Sequence, residues 1–145
     1  LKLLVEAGGE TPAALGLFGA IRTENGRVDL KRCGLFPIVR AARVLAIAHG
    51  VQARATAARL DGLAHAGLGA ARDLADLAHA HATLLSEILN QQIEDVGRGI
   101  APSNKVDPGR LDAARRSALK EALRIAAGAD AVLHTLLMAQ RTPDA

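Results

Sequence analysis

Apolar residues recur every three to four positions over most of the chain after residue 34, which is the period of an amphipathic helix. The pattern predicts four helices: one from residue 34 to His49-Gly50, one over residues 56–67, one over residues 70–97, and one that begins at Asp107-Pro108, where Asp caps the first turn and Pro fits it. The third helix has the longest apolar stripe. Its members are Leu74, Leu77, His81, Leu84, Leu85, Ile88, Leu89, Ile93 and Val96.

The first 33 residues do not follow this period. Residues 1–7 predict the end of a helix that Gly8-Gly9 stops, and Asn25-Gly26 between two apolar runs is a strong hairpin signal. We therefore predict an all-α fold: residues 1–33 form a short helix end and a small β-hairpin or extended arm, and residues 34–140 form an antiparallel four-helix bundle. Because the chain starts with neither Met nor a secretory signal, we expect a fragment of a longer protein.

Composition narrows the choice of partners. Two Phe and no Trp or Tyr leave the core aliphatic and remove the stacking surfaces used by proteins that bind single-stranded nucleic acid. The net charge of +3 is spread along the chain, so we expect no nucleic-acid partner. Charges or His interrupt every apolar run, so we expect no membrane partner. A single cysteine, Cys33, excludes an internal disulfide and favours a reducing, cytoplasmic location.

No catalytic motif is recognisable in the chain. His79 and His81 point to different faces of a helix, so they do not predict a shared metal site, and neither a Walker loop nor a GxGxxG sequence is present. We therefore expect no catalytic residue and no metal ligand.

The segment from Gly26 to Ile38 carries the main binding hypothesis. The helix is predicted to open between Gly34 and Pro37, directly after Lys31 and Arg32. Cations there oppose the positive end of the helix dipole, whereas free N–H groups together with cations suit a phosphate or carboxylate. The alternative is a solvated surface that Asp29 balances.

Arg40 and Arg43 are three residues apart on the same helix and would extend this cationic edge, or else form a solubilising stripe. Gln92 interrupts the stripe of the third helix. A buried amide needs partners, so it either bonds across the bundle or faces a ligand cleft. Asn104 is an ordinary turn residue by composition.

Several motifs occur in a recognisable order along nearly the whole chain. They are Leu15-Gly16-Leu17-Phe18-Gly19, Val28-Asp29-Leu30-Lys31-Arg32, Gly34-Leu35-Phe36-Pro37-Ile38-Val39, Ala41-Ala42-Arg43-Val44-Leu45-Ala46, Gly50-Val51, Gln92 seven residues before Gly99, Pro102-Ser103-Asn104 and Asp107-Pro108-Gly109-Arg110-Leu111. In this order the chain resembles the putative nucleotidyltransferase substrate-binding domain at the C-terminus of multidomain bacterial signalling proteins.

The resemblance implies a helical bundle that follows a nucleotidyltransferase domain, often behind cyclic-nucleotide-binding and CBS domains, with similarity to PII protein uridylyltransferases. The catalytic carboxylates and the magnesium that accompanies the nucleotide would then belong to the upstream domain, with no cofactor in this one. The positions that match recurrent motif positions are Asp29, Lys31, Gly34, Pro37, Arg43, Gln92 and Asn104. Cys33 stands where the family pattern has glycine, and its side chain would narrow the approach to the helix start.

The resulting expectation is a non-catalytic domain that orients a nucleotide or acceptor through Lys31, Arg32 and Arg43. Its partners would be the upstream transferase domain and a nucleoside triphosphate. The alternative is a structural bundle whose exposed apolar stripe binds a second copy or the regulatory domains.

Overall fold

The computed structural model describes residues 13–139 of the chain. The predicted helix end at residues 1–7 lies outside this range. Five α-helices are present within it: α1 (Phe36–Ala48), α2 (Thr56–His65), α3 (Ala71–Gly97), α4 (Ala113–Ala127) and α5 (Ala129–Ala139). Leu17–Gly19 and Pro108–Arg110 form short 3-10 turns.

The last two helices are separated only by Gly128. The two helices pack against different neighbours: α4 lies mainly against α3, whereas α5 lies mainly against α1. Since α2 packs on both α1 and α3, the mostly helical fold is compatible with the predicted four-helix bundle when α4 and α5 count as one broken rod.

A two-stranded antiparallel sheet joins distant parts of the chain. Strand β1 (Val28–Asp29) pairs with β2 (Lys105–Val106), with Asp29 opposite Lys105. The predicted hairpin is therefore correct only at its turn, where Asn25 and Gly26 both have positive φ and Glu24 bridges to Arg27. The other arm does not pair with β1, because the 3-10 turn interrupts it and Leu15 bridges to Ile21 instead.

The first α-helix begins at Phe36, and a further helical turn precedes it. A π-helical turn, Lys31–Leu35, precedes α1, and the N–H of Phe36 donates to the oxygen of Lys31. The predicted opening between Gly34 and Pro37 is correct for α1, but Lys31 and Arg32 lie inside the π-helical turn rather than before all helical structure. Gly34 is buried here, and a Cβ at this position would lie 2.7 Å from Cδ1 of Leu84 on α3.

The core is aliphatic, as predicted. Its largest fully buried side chains come from every helix and from the helical run that starts at residue 30: Leu30, Ile38, Val44, Leu45, Leu60, Leu63, Leu74, Leu77, Leu84, Leu119, Leu123 and Leu133. Taken as one helix, Ala113–Ala139 is long and apolar enough to cross a membrane by length and composition alone. Its leucines at 119, 123 and 133 nevertheless pack in this core.

The predicted stripe of α3 is only partly correct. Leu74, Leu77, Leu84 and Ile88 are buried, but the larger residues in its second half are exposed. The exposed fractions are 39% for Leu85, 57% for Leu89, 71% for Ile93 and 61% for Val96. The side of α3 that faces the core carries three buried polar residues in this half, Glu87, Gln91 and Asp95.

Candidate functional site

A buried ion pair anchors the polar end of the bundle. The guanidinium of Arg27, just before β1, donates to both carboxylate oxygens of Asp95 on α3, at 2.6 and 2.8 Å, and to the carbonyl of Lys105 at 3.2 Å. Asp95 is fully buried. The hydrogen bonds from Arg27 hold the pKa of Asp95 below its usual value although burial acts the other way. The pair therefore stays charged and fixes the segment before β1 to α3.

Gln91 extends this network by one helical turn. Its Nε2 donates to Asp95 at 3.0 Å, and its Oε1 accepts the backbone N–H of Asp107 at 3.0 Å. Both polar ends of this buried amide are thus satisfied inside the domain. These bonds connect α3 to the segment before β1 and to the loop before α4.

The start of the helical run is capped by the chain itself. The backbone N–H of Arg32 donates to Asp29 Oδ1 at 3.1 Å, and the N–H of Leu30 donates to the carbonyl of Asn104 at 3.1 Å. These two donors are therefore engaged within the domain. Any anion at this end would depend on side chains rather than on these amides.

Cationic side chains surround a shallow recess of about 210 Å³ beside β1. Arg22, Arg27 and Arg32 line it together with Glu24 and Asp29. Arg27 is committed to Asp95, and Glu24 Oε2 lies 3.5 Å from Lys105 Nζ. Within residues 13–139 no ion pair involves the side chains of Arg22 and Arg32. We call this cavity the arginine recess, after the three arginines that line it.

Cys33 also lines the arginine recess. Burial raises the pKa of its thiol, and the nearby Asp29 carboxylate adds to the rise while Arg32 opposes it. The neutral thiol narrows the recess without adding charge.

Five of the seven residues singled out in the sequence lie at this end of the molecule. Asp29, Lys31 and Arg32 lie in β1 and the π-helical turn, with Lys31 and Arg32 exposed. Gln92 is partly buried, and its Nε2 donates to the carbonyl of Ser103 at 3.1 Å, next to Asn104. The contacts of Gln92 that the structure shows thus lie within the domain.

The remaining two residues lie elsewhere. Arg40 Nη2 is 3.2 Å from Asp130 Oδ1 on α5, and Arg43 is exposed farther along α1. Twelve residues of helix separate Arg43 from Lys31, about 18 Å along the axis. Arg40 and Arg43 therefore do not contribute side chains to the arginine recess.

The order of motifs along the chain has a counterpart among protein families. The family model described as "Putative nucleotidyltransferase substrate binding domain" matches residues 1–136. The chain belongs to this family. No curated protein and no solved structure gives a significant match.

Sequence reasoning about this substrate binding domain missed Arg22, Arg27, Gln91 and Asp95. A signal was present, because Glu87, Gln91 and Asp95 follow one another at intervals of four residues, on the same helical face as Leu84 and Ile88. Such spacing places polar groups on the core side, where each needs a partner. Arg27 directly follows the Asn-Gly turn and carries no comparable signal.

Among the described residues of the domain, no group of three or more His, Cys, Asp or Glu side chains could hold a metal ion. His81 is half-buried on α3, and burial lowers the pKa of its imidazole. The positively charged residues in and beside the arginine recess are Arg22, Arg27, Lys31 and Arg32.

Proposed function

We propose that this domain is non-catalytic and holds the phosphate of a nucleotide or acceptor for an upstream, uridylyltransferase-like nucleotidyltransferase domain. The observation that carries the proposal is the arginine recess, where Arg22 and Arg32 line a cavity without ion-pair partners among the described residues. Lys31, exposed next to Arg32, adds a third exposed cation. Family membership supports substrate binding as the role of such a surface.

The chemistry of the recess favours a phosphate group. Guanidinium groups form two parallel hydrogen bonds with phosphate oxygens, and such charge-assisted bonds are among the stronger polar contacts in proteins. Arg27 lines the same recess but is bonded to Asp95. Arg22 and Arg32 are therefore the two lining cations that are left to bind a phosphate.

The size of the recess sets how much of a ligand it holds. Its volume of about 210 Å³ is below the roughly 300–1,000 Å³ typical of pockets that enclose a whole small molecule. The recess therefore suits one or two phosphate groups, while the base and sugar would contact the upstream domain.

The division of labour follows from the reaction. Nucleotidyl transfer depends mainly on positioning and on stabilising the charge of the transferring phosphorus group, so a cationic wall from a second domain has a physical use. In this proposal the acids and the magnesium that accompanies the nucleotide belong to the transferase domain, and this domain carries no cofactor. A cytoplasmic protein of bacterial signalling, with associated CBS and cyclic-nucleotide-binding domains, is the setting that we propose for it.

The test is a titration of the chain with ATP, UTP and other nucleoside triphosphates, with and without magnesium, followed by backbone amide NMR. We expect saturable shifts centred on residues 22–33. Arg32→Ala should weaken the affinity about tenfold or more, because it removes a charge-assisted contact. Lys120→Ala removes an exposed cation from α4 and serves as the matched control.

A second arm uses the protein that carries the transferase domain. There, Lys31→Ala and Arg32→Ala should lower turnover, whereas Lys120→Ala should not. If both variants behaved like the Lys120 control in affinity and in turnover, the assignment of the phosphate site to the arginine recess would be wrong.

A further inference from the structure

The outer face of α3 is apolar along its whole length. Its residues are spaced by four or three positions, which places them in a single line on the helix. We call this line the α3 seam: Ala71, Ala75, Ala78, Ala82, Leu85, Leu89, Ile93 and Val96. All are exposed except Ala78, which is partly buried, and Ile93 is 71% exposed.

Exposed charged side chains on α3 occur only near the two ends of the α3 seam. Between Asp76 and Glu94 the only Asp, Glu, Lys or Arg is Glu87, which is buried and paired with Arg115 at 2.7 Å. About five turns of helix surface therefore face solvent without a charged side chain. A solvent-facing helix normally carries charged and polar residues there, so this face has the composition of a contact surface.

The side chains of the α3 seam are small at its start and large at its end. Its first half is all alanine and its second half is all leucine, isoleucine or valine. We infer that the seam is the contact of a symmetric homodimer, in which the α3 helices of two copies pack antiparallel. A two-fold axis between Thr83 and Leu84 would then place three large side chains level with an alanine, in the pairs Ala71 and Val96, Ala78 and Leu89, and Ala82 and Leu85. The fourth, Ile93, would lie one position from the level of Ala75.

Packing argues for this direction. Large-to-small pairing lets two helices approach closely and fills the space between them without overlap. A parallel pair would set leucine against leucine at one end and alanine against alanine at the other, which combines crowding with a gap.

Charge points to the same arrangement. Arg72 lies beside the first turn of the α3 seam, and the antiparallel register keeps the Arg72 side chains of the two copies at opposite ends of the contact. The other bordering residues, His79, Ser86 and Asn90, carry no carboxylate, ammonium or guanidinium group. A parallel pair would instead bring Arg72 of the two copies together.

The area sets the strength that we expect. The α3 seam covers 26 residues, about 39 Å of helix, and a helix is about 10 Å wide, so two copies would bury on the order of 800 Å². Stable interfaces bury roughly 1,200–2,000 Å². The dimer is therefore weak and concentration-dependent, with a Kd in the micromolar range or above.

Sedimentation equilibrium of the chain, from about 10 µM to about 1 mM, tests the inference. The apparent mass should rise from 15.0 kDa towards twice that value. Leu89→Lys should raise the Kd at least tenfold while leaving the circular dichroism spectrum unchanged, and Ile93→Lys should do the same. Ile47→Lys, at a site on α1 that is 55% exposed, is the matched control and should dimerise like the wild type.

Cysteine cross-linking tests the register in a Cys33→Ser background. Ala78→Cys combined with Leu89→Cys should give a disulfide-linked dimer on mild oxidation. Leu89→Cys alone should not, because the two copies of position 89 would lie about 16 Å apart along the axis, beyond the reach of a disulfide. Efficient cross-linking by the single variant would overturn the antiparallel register. A monomer at every concentration would overturn the dimer and leave the α3 seam to an upstream domain.

Discussion

In the second half of α3, the two faces depart from the usual distribution of polar and apolar residues. The inner face buries Glu87, Gln91 and Asp95, whereas the outer face exposes Leu89 and Ile93. Each buried polar group has a specific partner: Arg115 for Glu87, the N–H of Asp107 for Gln91 and Arg27 for Asp95.

This difference shows that burial on α3 follows the available partners rather than hydropathy alone. A carboxylate is stable in the interior when a guanidinium reaches it, and an isoleucine stays outside when no element of the domain lies across from it. Substitutions that remove one member of a buried pair test the role of the inner face. Substitutions of exposed apolar side chains, which have no partner in the described domain, test the role of the outer face.

The largest expected effect comes from Asp95→Ala. The substitution leaves Arg27 without its main acceptor and Gln91 without a bond, and breaking such a buried pair should lower the Tm by roughly 10–15 °C. Thermal unfolding followed by circular dichroism measures it. The neighbouring control, Glu94→Ala, removes an exposed pair with Arg110 and should change the Tm by about 2 °C or less. Equal effects for the two variants would contradict the comparison of the faces.

A smaller effect should separate two adjacent apolar residues. Ile88→Ala empties space in the core and should lower the Tm by roughly 7–12 °C. Leu89→Ala acts on a side chain that is 57% exposed and should lower it by about 2 °C or less, when measured at a concentration where the chain is monomeric. A large loss for Leu89→Ala in the monomer would mean that the outer face is part of the core.

The smallest expected effect is a change in how the stability of the protein depends on acid pH. The pKa of Asp95 lies below the ordinary 3.8 in the folded protein, because Arg27 favours the charged form. The stabilisation is therefore present in full above the unfolded value and is lost as the pH falls through the folded pKa. Urea unfolding between about pH 7 and pH 3 should show a steeper acid loss for the wild type than for Asp95→Asn. Parallel curves would exclude this role.

Much of the fold could be predicted because local signals determine it. The positive φ angles at Asn25 and Gly26 follow from the residues themselves, and α1 buries Ile38 and Leu45 as its period predicts. The pairing of β1 with β2 has no such signal. Two strands of two residues, 77 positions apart, are selected by tertiary packing rather than by their own sequence.

The candidate site was partly predictable for the same reason. Lys31 and Arg32 are recognisable as adjacent cations near a helix start, but their place inside the helical run depends on the π-helical turn before Pro37. On α3 two apolar stripes lie side by side, and the exposed stripe has more apolar residues than the buried one. The hydropathy of the neighbouring residues therefore points to Gln92, whereas Gln91, one position earlier, holds the buried position.

The antiparallel pair of β1 and β2, and the bond of Arg27 to Asp95, have a consequence for the order of folding. These contacts join segments 68 or more positions apart, so they close long loops and cost more chain entropy than the local turns of the helices. We therefore expect them to form late, after the helices have met, and to open before the helical core does. The end of the molecule that carries the arginine recess is thus the part whose order depends most on the rest of the domain being in place.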